Sequence, residues 1–154
     1  MSLFPPTIIM RHRLENLKKC SLRGLESRSD CIFLTYPYDH LPDLTYVSIL
    51  SFDGPVLSEK DDSNGLLLID ATWRYAAKMV KSVSPAYHIN YRTLPGQYRT
   101  AYPRKQADCS DPHRGLASIE ALYLSYLLLK RPTNGLLDHY YWKDQFLQIN
   151  ELSN

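Results

Sequence analysis

The sequence predicts an α/β domain with a mostly parallel sheet flanked by helices, and three observations predict it. Short β-branched and apolar runs alternate with segments of helical spacing, the rhythm of strands joined by helical crossovers. One run, LLLID from Leu66 to Asp70, is apolar until its last residue, the pattern of a parallel strand covered on both faces. The chain has 154 residues, 44% hydrophobic and 22% charged, which suits one domain (residues 1–154) with a substantial core.

Taken in order, Thr7 to Arg11 (TIIMR) reads as a short strand and Cys31 to Pro37 (CIFLTYP) as a buried one stopped by proline. TYVSILSF, from Thr45 to Phe52, mixes β-branched and aromatic residues and reads as a third strand. The turn signal DDSNG precedes LLLID. Trp73 to Val83 has helical spacing: Trp73, Ala76, Ala77, Val80 and Val83 share one side, and Arg74, Lys78 and Lys81 another. Thr72 is positioned to cap this helix and Pro85 to end it. The Tyr- and Arg-rich stretch from Tyr87 to Gly115 is broken by Pro95, Gly96, Pro103 and Pro112, so it is expected to be loop around a short strand. Leu116 to Lys130 is apolar nearly all round, which predicts a buried helix, and Gly135 to Glu151 predicts a last one.

Several function classes are disfavoured at once. No apolar run is long enough to span a membrane. Pro5 and Pro6 stand where a signal peptide would carry its apolar stretch. Cys20, Cys31 and Cys109 are odd in number and irregular in spacing, which predicts reduced thiols in a cytoplasmic protein rather than disulfides. No cysteine or histidine pair has metal-ligand spacing, so no metal is expected. The six glycines are never clustered, and the fingerprints of dinucleotide, P-loop and serine-hydrolase sites are missing.

Net charge is +2 but unevenly spread. From Ala71 to Ala107 the basic residues are Arg74, Lys78, Lys81, Arg92, Arg99, Arg104 and Lys105, with no acid among them; Tyr38 to Asp62 is acidic. Such a split suits docking onto a polyanion, although a solvated face gives the same pattern.

Three segments stand out as candidate chemistry: DATW (Asp70 to Trp73), LPGQYRTAYPRK (Leu94 to Lys105) and RGLASIEAL (Arg114 to Leu122). Ligands of open parallel sheets bind beyond the carboxyl ends of the strands, where Asp70 is expected. Small residues opening a helix let a ligand approach backbone N–H groups. Each segment also has a plain structural reading: Trp73 as a core anchor, Ser118 as an N-cap, Glu120 as a partner of the helix dipole.

LLLIDATW followed by RGLASIEAL resembles the DTW-domain proteins, and NLKKCSLRGL, PVLSEKD and YWKDQFLQIN resemble motifs of their ribosome-biogenesis branch, the aminocarboxypropyltransferases of small-subunit rRNA. The five motifs fall in that branch's order over most of the chain. Ala117 stands where the family usually has Ser, Glu59 replaces a Pro, and RTAYPRKQADCSDPHRG follows its family segment loosely. The resemblance implies a SPOUT-like fold with a C-terminal knot and transfer of the aminocarboxypropyl (acp) group of S-adenosylmethionine (SAM) to a base nitrogen of uridine or pseudouridine, most naturally in rRNA. It implies a monomer. On it, Asp70 is the catalytic candidate, as base or as ligand anchor. Ser21, Ser58, Trp73, Leu94, Leu116 and Ser118 are the cofactor-binding candidates. Arg74, Lys78, Arg92, Arg99 and Arg104 are the RNA contacts, with Tyr91, Tyr98 and Tyr102 available to stack bases. Two other readings stay open: a SPOUT-type RNA methyltransferase, and an RNA-binding assembly factor without catalysis.

Overall fold

A computed structural model describes residues 4–17, 20–71, 75–76, 78–79, 90–103 and 115–153. Among the described residues five strands form one sheet: β1 (Thr7–His12), β2 (Cys31–Tyr36), β3 (Val47–Leu50), β4 (Gly65–Asp70) and β5 (Asn90–Arg92). Their order is β2-β1-β4-β3-β5, and all four pairings are parallel. The expected α/β class and parallel sheet are therefore found, with β4 at the centre.

Alternation within the strands explains the two-sided burial. Ile9, Leu66 and Leu68 face one apolar cluster, while Ile8, Met10, Ile49 and Leu67 face another. Successive side chains point to opposite faces, so a strand with core on both sides must be apolar at every position. The first cluster is closed by helix α1 (Ser118–Leu128), whose Ile119, Leu122, Tyr123, Leu124 and Tyr126 are buried. The second includes Leu44, Val47 and Met79.

The largest differences from the sequence reading are in β3 and the last helix. Strand β3 keeps only Val47–Leu50 of the longer β-rich run, and the last helix, α2, spans only Lys143–Ile149. Residues 134–139 form turns instead of helix. Gly135 has φ +81°, outside the helical region, and the following Leu136, Leu137 and Tyr140 are drawn into the core. Burial of three large side chains from a turn overrides helical spacing. Tyr75, Ala76, Lys78 and Met79 are helical within the predicted Trp73–Val83 helix; Thr72, Trp73, Arg74 and the end at Pro85 lie outside the described residues.

The amino ends of the strands are tied separately. Tyr126 Oη is 2.8 Å from Thr7 Oγ1 and donates to Asp30 Oδ2 at 3.1 Å. Asp30 also pairs with Arg28 at 2.9 Å. Arg131, just past α1, donates Nη2 to the carbonyls of Asp62 and Asn64 at the entry to β4 and lies over the Phe4 ring at 4.6 Å. Among the described residues no helix is long and apolar enough to cross a membrane.

Candidate functional site

Because every pairing is parallel, the carboxyl ends of the strands share one edge, and the candidate residues that are described gather there in two groups. The first group is centred on Asp70, the last residue of β4 and 3% exposed. Its register partner on β1 is Arg11. Arg11 Nε donates to Asp70 Oδ2 at 3.1 Å, the Cys20 thiol donates to the same oxygen at 3.1 Å, and Ser118 Oγ donates to Oδ1 at 2.8 Å. Ser118 opens α1, so one carboxylate joins two central strands, the loop at residue 20 and a helix start.

Ser21 completes that join. Its Oγ accepts from the backbone N–H of Ile119 at 3.2 Å. The residue at the N-cap of α1 is Ala117, which has no side-chain acceptor, so Ser21 from a distant loop satisfies one of the N–H groups a helix start leaves open. Ser118 is thus not the N-cap; its hydroxyl is turned to Asp70.

The electrostatics follow from burial. Burial opposes the Arg11 charge, but Cys20 and Asp70 outweigh it and hold that guanidinium above its ordinary value. Burial, reinforced by the Asp70 charge and hydrogen bond, pushes the Cys20 thiol from 9.0 to about 12. Cys20 is therefore a neutral donor at physiological pH, and Asp70 is the ionic partner of Arg11. Glu15, Cys20 and Asp70 bring ligand-type atoms within 4.8 Å of one another, but the Arg11 guanidinium already bonds both Cys20 and Asp70. Its positive charge makes this an ion-pair network.

The second group lies around β5. Val56 and Thr93 form a parallel bridge, with Leu57 N–H donating to Thr93 O at 2.8 Å, so the chain leading to Ser58 runs alongside the chain leading to Leu94. Ser58 N–H donates to Asp61 Oδ2 at 3.1 Å, and Arg92 Nε donates to Asp61 Oδ1 at 3.1 Å. Leu94 and Leu116, both half-buried, pack against the same apolar cluster as α1.

Among the RNA-contact candidates, Lys78 and Arg99 are exposed, whereas Arg92 is half-buried, with Nε on Asp61 and Nη1 on the Tyr91 carbonyl. Trp73, Arg74 and Arg104 lie outside the described residues. Tyr91, Tyr98 and Tyr102 are half-buried, and Tyr102 packs edge-on against Trp142 at 5.0 Å.

Three participants were missing from the sequence-derived site. Arg11 and Cys20 hold Asp70, and Glu120 holds the loop that carries Tyr98 to Tyr102. Glu120 is fully buried and accepts from Thr100 Oγ1 at 2.6 Å, Ala117 N–H at 2.7 Å, Ala101 N–H at 2.8 Å and Tyr140 Oη at 2.9 Å. Asn150 helps from the other side: Arg99 N–H donates to its Oδ1 at 2.8 Å, and its Nδ2 donates to Arg99 O at 2.9 Å. The signals were an Arg ending an apolar strand and a lone acid in an apolar helix, since charges are rarely buried unless paired.

No family model matches the chain, and no curated protein matches it. Its fold is similar to a solved structure, that of the SAM-dependent rRNA:acp-transferase Tsr3 from Vulcanisaeta distributa, with a TM-score of 0.71 and 22% identity over 96% of this chain and 79% of that one. At that identity the likeness is one of fold.

Proposed function

We propose that this chain binds SAM and transfers its acp group to a uridine or pseudouridine nitrogen of rRNA, as a cytoplasmic monomer. The observation that carries the reading is the fold likeness to Tsr3 over 96% of the chain, which runs in the same direction as the five sequence motifs. The C-terminal knot implied by the motifs belongs to the same proposal.

The residues at the carboxyl edge fit such a ligand in kind. Leu94 and Leu116 offer apolar surface for the adenine faces, and Gly115 and Ala117 keep the approach to α1 narrow in side chains. When bound, SAM supplies an acp group activated by its sulfonium, with methylthioadenosine as the product that leaves. The protein's part is positioning, because three carbons on the sulfonium are electrophilic and the one aligned with the nucleophile reacts.

Asp70 has a defined place in this reading. Arg11 and Cys20 donate to Oδ2 and Ser118 to Oδ1, so it anchors the start of α1 against β4, and Oδ1 has a second acceptor position that suits a ligand group or the imide proton. Lys78 and Arg99 are the exposed cations offered to the RNA backbone, while Arg92 is held by Asp61.

Calorimetric titration with SAM, and in parallel with methylthioadenosine, tests the reading. Micromolar binding of both is expected, followed by release of methylthioadenosine when substrate RNA is added. Release of S-adenosylhomocysteine would make the protein a methyltransferase. A folded protein that binds neither compound but binds RNA would be an assembly factor without catalysis.

A further inference from the structure

Glu120 has a geometry that a helix-dipole partner does not need. Each of its oxygens takes one backbone N–H and one hydroxyl: Oε1 takes Ala117 N–H and Thr100 Oγ1, and Oε2 takes Ala101 N–H and Tyr140 Oη. The Thr100 hydroxyl in turn accepts from Tyr102 N–H at 3.0 Å. One buried side chain therefore spans three separate segments: the loop at 98–102, the residue before α1, and the turn before α2. A carboxylate suits this place and an amide does not. Whichever way Gln is turned, its NH2 must face one of the two backbone N–H groups, leaving a buried donor unsatisfied.

We propose that Glu120 is the positioning residue for the adenosyl part of SAM. The inference rests on the function proposed above, in which the loops carrying Leu94 and Leu116 hold the adenine. Glu120 joins Thr100 and Ala101, on the first loop, to Ala117, next to Leu116 on the second, so its two oxygens set the gap between the two walls. Asn150 fixes the outer side of the first loop through Arg99, and Trp142 packs on Tyr102, so that loop has little other freedom. Displacing one wall misaligns the adenosine without touching the acp group. The clamp therefore sets how tightly the adenosyl part binds, not how fast the bound acp group reacts.

The test compares wild type, Glu120→Gln, Glu120→Asp and, as a destabilised control on the far face of the sheet, Ile8→Val. Dissociation constants for SAM and for methylthioadenosine, which shares the adenosyl part, are measured well below each variant's melting temperature. Steady-state rates are measured with substrate RNA. Glu120→Gln is expected to weaken both ligands together by tenfold or more and to raise KM for SAM with kcat within about threefold, the pattern of lost uniform binding. Glu120→Asp, with both oxygens but a shorter reach, is expected to recover part of that loss. Ile8→Val is expected to bind as wild type does. Should Glu120→Gln not fold, Thr100→Val and Tyr140→Phe, each removing one of the four donors, are each expected to weaken both ligands by a smaller factor. Unchanged affinity in a folded Glu120→Gln, or in both milder variants, overturns the clamp while leaving the enzyme reading intact. A fall in kcat with no change in KM also overturns it. If wild type itself binds neither ligand, the enzyme reading and the clamp fall together.

Discussion

Asp70 and Arg11 are both buried at the end of adjoining strands, so removing one leaves the other's charge without its partner. Breaking such a pair costs about 3–5 kcal/mol, whereas replacing both partners with apolar residues is often neutral. Asp70→Ala is accordingly expected to lose about that much stability in urea unfolding, and the double variant Arg11→Met with Asp70→Leu to regain most of it. If SAM binding stays lost in the double variant, the anchoring of Ser118 matters for the ligand beyond its effect on folding. If binding returns with stability, the carboxylate has no role in the site. The thiols make a second prediction at this scale. Burial pushes both Cys20 and Cys31 from 9.0 to about 12. A thiol whose pKa is raised on folding binds its proton more tightly in the native state. Stability from this source is full below about pH 9, the unfolded value, and falls as pH rises towards 12, by up to about 1.4 kcal/mol per pH unit for each thiol. Urea midpoints measured between pH 8 and pH 11 are expected to decline, and Cys20→Ala to flatten the decline. A midpoint that holds steady to pH 11 contradicts the assignment. Much of this site was open to sequence reading only in outline. Asp70, Ser21 and Ser118 could be picked out, but that Arg11 and Cys20 join Ser118 around the Asp70 carboxylate depends on the β1–β4 register and the packing of α1, which no local pattern encodes.

At the level of elements, β2, read as buried, is an edge strand with Ile32 exposed, whereas β1 and β4 were legible because burial on both faces leaves a strong apolar signature, clearest in Leu66 to Ile69. The helix read from Gly135 to Glu151 was not, because its spacing also serves a turn that buries Leu136, Leu137 and Tyr140. The short strand β5 was placed only as somewhere within a loop. Its three residues carry little apolar pattern, and what holds it is pairing: Ile49 with Tyr91, then the bridge from Val56 to Thr93. Gly54 makes that bridge possible. It has φ +95°, and a Cβ there would meet Tyr91 O at 2.5 Å. The obstacle is backbone, so it cannot move aside without shifting β5. Gly54→Ala is expected to cost about 1–3 kcal/mol, read as a lower melting temperature. It is also expected to weaken SAM, because Ser58 and Leu94 flank the bridge. Gly65→Ala is the comparison, since its nearest contact to a new Cβ is an ordinary 3.4 Å at negative or extended φ. Equal effects at the two glycines would mean that close backbone approach at Gly54 is not what orders β5.

For the molecule as a whole, ligand binding and stability are linked, which gives a test needing no knowledge of the RNA. The two side-chain groups at the carboxyl edge are built from segments far apart in sequence: residues 11, 20–21, 70 and 118 in one, residues 58, 61 and 92–94 in the other. Only the folded chain assembles them, so SAM should bind the native state and ignore the unfolded one. At a concentration 100-fold above its dissociation constant, such a ligand stabilises by about 2.7 kcal/mol. For a chain of this size that corresponds to a rise of roughly 5–10 °C in melting temperature. Methylthioadenosine should give a rise in the same direction at matched saturation, because the adenosyl walls engage both. The two classes of partner should also separate by salt. SAM contacts drawn from hydroxyls, backbone and apolar surface change little between 50 and 200 mM salt, whereas RNA held through exposed cations such as Lys78 and Arg99 loses affinity steeply over that range. A melting temperature raised by RNA at low salt but indifferent to SAM and methylthioadenosine would turn the same fold into an RNA-binding factor. A rise with both small molecules that survives added salt fits a binding energy drawn from apolar and backbone contacts such as those proposed at Leu94 and Leu116.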